Sequence, residues 1–161
     1  MALIVSDANI FIDMEIGGLT RLMFQIGEDI AVPDVLYEEE LREHHGNLPG
    51  LGLRILELRG ESVTEADRLR AAYPEAGTND LLALVLAKQE KSPLLTGDAA
   101  LRRAAAAERV QVIGTIWLIG QMLDRGLLTA YAVEAAYAKM REGGRRLPWD
   151  EVHRQLESVR R

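Results

Sequence analysis

The sequence predicts an α/β fold, a three-layer α/β/α sandwich around a central parallel sheet. Short runs rich in Val, Ile and Leu alternate with longer helical stretches, and that alternation implies strands joined by right-handed helical crossovers. Runs such as Leu3-Ile4-Val5 are continuously apolar, as strands covered on both faces are. At 161 residues the chain suits one domain spanning 1–161, with a helical C-terminal segment from about residue 115.

Ala2–Ser6, reading ALIVS, is the first strand and stops at Asp7. Ala31-Val32-Pro33 ends a second strand, and DVLYEEELREHH continues it as a helix with Asp34 as its cap. His44 to Arg54 concentrates Gly and Pro and reads as a surface loop, after which RILELRG supplies a third strand. Thr64 to Tyr73 is a helix opened by a Thr cap. The helix in GTNDLLALVLAKQEK carries Leu81, Leu82, Leu84, Val85 and Leu86 nearly all round, which places it in the interior. Pro93–Thr96 is a strand before Gly97-Asp98, Ala99–Glu108 a helix, and VQVIG the closing strand. Three helices follow, TIWLIGQMLDRG, TAYAVEAAYAKMREGG and a last one with Pro148 at its first position. Trp117 and Trp149 fall on apolar helical positions and read as packing residues.

Composition excludes several functions. There is no cysteine, hence no disulfide framework, thiolate metal site or cysteine nucleophile, and a reducing cytoplasm fits. No Lys or Arg precedes the first apolar stretch, which Asp7 and Asp13 interrupt, so a signal peptide is not expected. No run approaches the roughly 20 apolar residues of a membrane span. A net charge of −6 argues against a general nucleic-acid-coating surface, although acids gathered in one metal site would account for most of that excess.

In an open parallel sheet the ligand crevice lies beyond the carboxyl ends of the strands. Asp7 follows ALIVS, Asp98 follows PLLTG, and Asp80 begins the most buried helix. A fourth acid comes from Glu38, Glu39 and Glu40. With about 100° per residue on an α-helix, Glu39 leans toward the apolar side beside Val35 and Leu36, and Glu38 is its nearest rival. Acids converging without Lys or Arg repel one another and persist when hard cations neutralise them. Oxygen-only ligands favour Mg²⁺ or Mn²⁺, which suit phosphodiester hydrolysis by activating water and stabilising the leaving oxygen.

IVSDANIFID, VPDVLYEEEL, GTNDLLALVLAKQ and LLTGDAALRRAA stand in the order seen in PIN-domain proteins, and the chain resembles that family over nearly its whole length. GTIWLIGQMLDRGLL is similar to a prokaryotic branch related to the toxin half of VapBC-type toxin-antitoxin pairs. The resemblance implies a metal-dependent ribonuclease with a PIN-like, Rossmann-like fold. Asp7 would be the first ligand, Glu39 the second acid, and Asp80 and Asp98 the third and fourth. Asn9 and Thr96 match positions of small polar residues that hold ligands or water. The family also implies an RNA substrate, a homodimer and, often, an antitoxin partner.

Other readings of the same residues are blander. Asp7 and Asp98 can serve as helix caps, Asp80 can complement a helix dipole, and the three glutamates can be a solvated face. His44 and His45 have no third ligand placed to complete a zinc site. Arg102 and Arg103 lie one turn after Asp98 and are the better candidates to guide an RNA backbone; Arg141, Arg145 and Arg146 read as surface ion pairs. A phosphotransfer fold also sets an Asp after its first strand, but DAN lacks the second Asp of a haloacid-dehalogenase motif, and no Lys follows a late strand as in a receiver. The remaining alternative is a catalytically silent PIN-like RNA-binding or protein-docking module.

Overall fold

The computed structural model describes residues 2–160. Five strands, β1 (Leu3–Ser6), β2 (Asp29–Pro33), β3 (Arg54–Leu56), β4 (Leu94–Leu95) and β5 (Val112–Ile113), form one sheet in the order β3-β2-β1-β4-β5. Every pairing is parallel, with Val5 opposite Ala31 on one side and Leu94 on the other. Ile4, Val5 and Ser6 are buried, as are Ile30 to Val32. That explains why these strands read as unbroken apolar runs.

β1 is followed by α1 (Ala8–Gly17) and α2 (Thr20–Met23). β2 passes directly into α3 (Asp34–Leu36), a π-helical segment (Tyr37–Leu41), α4 (Arg42–His45) and α5 (Leu48–Leu51). After β3 come α6 (Glu61–Ala72) and α7 (Thr78–Glu90), and α8 (Ala99–Ala107) joins β4 to β5. α9 (Thr115–Asp124), α10 (Ala130–Glu142) and α11 (Trp149–Arg160) complete the chain. α7 lies across β1, β2 and β4, whereas α1 packs against α10. Right-handed crossovers thus set α6, α7 and α8 on one face and α1, α2 and the C-terminal helices on the other.

The interior helix is α7, in which every residue from Leu81 to Ala87 is buried. Its outer end is tied down by Lys88, whose Nζ donates to Glu65 at 2.6 Å and to Glu108 at 2.7 Å, linking α6, α7 and α8. Hydrogen bonds from Arg68 and then Lys88 hold the Glu65 carboxyl well below its usual range, at about 2, and against its burial those from Lys88, Tyr73 and Arg68 hold Glu108 at about 2.

Several local expectations are corrected. Thr64 is no cap: α6 starts at Glu61 with Gly60 in the capping position. Pro33 occupies the capping position of α3, while Asp34 Oδ1 accepts from the Val35 N–H at 2.8 Å. The region from His44 to Arg54 is not all loop, because Leu48 is buried and nucleates the single turn of α5. Pro148 precedes α11, its carbonyl accepting the Glu151 and Val152 N–H groups. Among the described residues no helix is long and apolar enough to cross a membrane.

Candidate active site

The chain leaves β1 in one direction to form β2 and returns on the other side to form β4. The crevice at this reversal lies between the carboxyl ends of β1 and β4, where a doubly wound sheet binds its ligands. Asp7 directly follows β1, and Thr96-Gly97-Asp98 follows β4.

Asp7 is fully buried. Its N–H donates to the Leu95 carbonyl at 3.1 Å, which fixes its backbone to the neighbouring strand. Oδ1 accepts the Ile10 N–H at 3.2 Å and caps α1, while Oδ2 accepts the hydroxyl of buried Thr96. The Thr96 oxygen in turn accepts the Asp98 N–H at 3.1 Å. Asp98 Oδ2 caps α8 through the Leu101 N–H at 2.8 Å. Both aspartates are therefore helix caps, and capping serves here to aim them at one edge.

Asp80 stands in the first turn of α7 beside Gly77, where a Cβ would lie 3.2 Å from its Oδ2. Glycine leaves that carboxylate its room. Burial first, then the charges of Asp98 and Glu40, push the Asp80 carboxyl up to about 6. Burial likewise pushes Asp7 up to about 7; the Thr96 hydrogen bond opposes this, and the Asp80 and Asp13 charges add to it. Asp7 thus senses Asp80, and Asp80 senses Asp98, at one sheet edge, and among the described residues no Lys or Arg pairs with any of the three.

The glutamates divide into three roles. Glu38 bonds Arg42 at 2.7 Å on the exposed face, Glu39 accepts the Asn79 side-chain amide at 2.8 Å, and Glu40 is the one whose charge reaches Asp80. All three lie in the π-helical segment, where i→i+5 bonding replaces the α-helical step. The rotation that favours Glu39 on an α-helix does not hold across such a turn.

Asn9 is exposed and borders a cavity of about 450 Å³ together with Asp13, Asp98, Arg145 and Arg146. Arg102 and Arg146 line an adjoining cavity of about 360 Å³, and Arg103 borders neither. The later arginines are therefore closer to the carboxylates than their sequence position implies. Sequence reasoning also missed Asp13, which is buried, accepts the Thr115 hydroxyl at 2.9 Å and pairs with Arg145 Nε at 2.6 Å. Its position two turns after Asp7, on the buried face of α1, was the available signal. His45 bonds Glu15 at 2.7 Å, and no zinc cluster forms among the described residues.

A family profile for the PIN domain matches residues 3–161. The chain belongs to the PIN-domain family. A comparison with curated proteins finds no match. Among solved structures, a chain of the VapBC2 complex from Rickettsia felis bound to a DNA fragment of its promoter superposes with a TM-score of 0.50 at 16% identity, covering 70% of this chain and 98% of that one. At that identity the likeness establishes the PIN fold. The parallel sheet and its reversal between β1 and β4 are thus those of a PIN fold.

Whether these acids suit a divalent ion can be judged from the donors. All are oxygens, burial and neighbouring acids raise Asp7 and Asp80, and among the described residues no Lys or Arg pairs with them. Among the described residues no group of three or more acids or histidines stands close enough to grip one ion. Mg²⁺ asks for less, because it keeps several waters and takes one or two carboxylates. The donor set fits such an ion.

Proposed function

We propose that this PIN-domain protein is a metal-dependent endoribonuclease that hydrolyses RNA phosphodiester bonds at the edge formed by Asp7, Asp80 and Asp98. One observation carries the reading: Asp7 is buried and Asp80 half-buried at the same sheet edge, burial and neighbouring acids raise both, and among the described residues no Lys or Arg pairs with either. Such a cluster costs stability until a cation neutralises it. Mg²⁺ or Mn²⁺ would be held at this edge by one or two of the carboxylates of Asp7, Asp80 and Asp98 and by water, with Glu40 next in charge to Asp80 and Glu39 bonded to Asn79. When bound, the ion supplies activation of water and stabilisation of negative charge on phosphoryl oxygens. The chain's own part is positioning. Thr96 holds Asp7 and the Asp98 backbone in one line, Asn9 borders the same opening, and Arg102 and Arg146 offer guanidinium groups to the RNA backbone.

The test is incubation of mixed single-stranded RNAs with Mn²⁺ or Mg²⁺. Cleavage should stop with EDTA and with Asp7→Asn or Asp98→Asn. Activity that survives both substitutions would belong to another site. The loose spacing of the acids favours a second reading, a catalytically silent RNA-binding or docking module. Calorimetry that finds no divalent binding, together with intact RNA, would select it. An antitoxin partner is carried over from the family resemblance and supported by the composition of the VapBC2 complex, and a homodimer is carried over from the resemblance alone. Sedimentation of the chain alone and after co-expression with a neighbouring reading frame tests both.

A further inference from the structure

We propose that the trough running from Asp98 past Gly97 to Trp117 is a nucleotide subsite, which seats one unstacked nucleotide of single-stranded RNA beside the carboxylate edge. It rests on the reading of that edge as a phosphodiester-cleaving site.

The cavity beside Asp98 and its neighbour adjoin at Gly97 and Arg146, which line both. At one end stand Asn9 and Asp98; at the other, Ile116, Trp117, Leu147 and Pro148 form an apolar wall. Arg102 and Arg146 are exposed along it, and among the described residues neither forms an ion pair. The other arginines of the same region are occupied: Arg145 is neutralised by Asp13, and the Arg141 guanidinium lies 4.4 Å from the centre of the Trp149 ring. In a chain of net charge −6, two unpaired guanidiniums flanking one aromatic slot mark the place where a phosphate is welcome.

The wall decides what accompanies the phosphate. Half-buried Trp117 with its apolar neighbours offers a surface for a base, and Glu151 on the same rim offers an acceptor for an exocyclic amine. The 360 Å³ of this end lies near the lower limit of small-ligand pockets. It has room for one nucleotide, and a base is free to enter only where the strand is unpaired. Gly97 lines both cavities, and a Cβ there would meet no heavy atom within 4 Å, so a larger side chain can be placed at their junction without displacing the fold.

The test is fluorescence anisotropy with a labelled RNA of about five nucleotides, its linkages phosphorothioate to resist cleavage, in Mn²⁺. Gly97→Leu and Arg146→Ala should each weaken binding about tenfold, while Arg70→Ala, which removes an exposed charge on α6 beside a different cavity, should bind like the parent. In a Trp149→Phe protein, RNA should quench the remaining Trp117 emission. Circular dichroism melts establish folding, and if Gly97→Leu unfolds, Arg146→Ala carries the test. Unchanged affinity in Arg146→Ala, absence of binding by the parent, or equal binding of a duplex overturns the subsite. Cleavage that persists alongside unchanged affinity leaves the nuclease standing without it. Trough-dependent binding without cleavage does the reverse.

Discussion

The hydroxyl of Thr96 donates to the Asp7 carboxylate and accepts the Asp98 N–H at 3.1 Å, so one buried side chain links the ends of β1 and β4. That hydrogen bond is the largest influence holding the Asp7 carboxyl down against its burial. Thr96→Val keeps the shape, removes the donor and leaves the Asp98 N–H without its acceptor. The Asp7 carboxyl should rise further, and Mn²⁺ affinity should fall about 10- to 100-fold, the usual effect of losing a group that orients a ligand. Thr96→Ser should retain most of the affinity. Isothermal titration with Mn²⁺ reads both, and equal affinity in Thr96→Val and the parent would remove Thr96 from the site.

The metal-free protein should grow less stable as pH rises. Folding lifts Asp7 from the usual 3.8 to about 7 and Asp80 to about 6, so between those values the folded state keeps protons that the unfolded chain has released. The penalty is absent below about pH 4 and complete above about pH 7. Asp7→Asn removes the buried charge and should raise the metal-free melting temperature at pH 8 by roughly 3–6 °C, corresponding to about 1–2 kcal/mol for a chain of this size. At pH 4 the gain should vanish. A divalent ion displaces the same protons, so Mn²⁺ should stabilise the parent more at pH 8 than at pH 5.5, and Asp7→Asn hardly at all. Scanning calorimetry across that range reads each difference.

Where the acids of the candidate site lie could largely be read from the sequence, because strand-end acids obey a simple rule. Asp7 and Asp98 follow apolar runs, and a parallel sheet sends both to its carboxyl edge. Asp80 was legible from the wholly apolar helix behind it. The π-helical turn was not, since three glutamates in a row carry no mark of which hydrogen-bond register they adopt. Nor was the short reach of β4, whose two paired residues are set by the neighbouring strands rather than by the apolar length of Pro93–Thr96. The pairing of Asp13 with Arg145 joins positions 132 apart, and no local pattern announces such a contact.

The glutamates should separate under substitution. Glu40→Gln removes the charge that Asp80 senses and should weaken Mn²⁺ binding about tenfold. Glu39→Gln disturbs only the bond to Asn79 and should have a smaller effect. Glu38→Gln should match the parent, because exposed pairs such as Glu38–Arg42 contribute about 0–1 kcal/mol. Metal titration of the three variants orders them, and a loss greatest in Glu39→Gln would return the fourth place to that residue.

Arg145 should matter for stability more than any other arginine near the site. It reaches from the α10–α11 connection to Asp13 on α1 at 2.6 Å, with Asp13 also accepting the Thr115 hydroxyl at the start of α9. Arg145→Ala strands a buried carboxylate on one hydroxyl donor, a loss of about 2–4 kcal/mol. Asp13→Asn keeps the Thr115 bond and removes the charge, so the double variant should recover part of the loss, the non-additivity expected of a contacting pair. Urea unfolding of the parent, both single variants and the double variant measures the coupling. Additive losses would mean that Arg145 and Asp13 stabilise the molecule independently, and that the C-terminal hairpin is held to α1 by apolar packing alone.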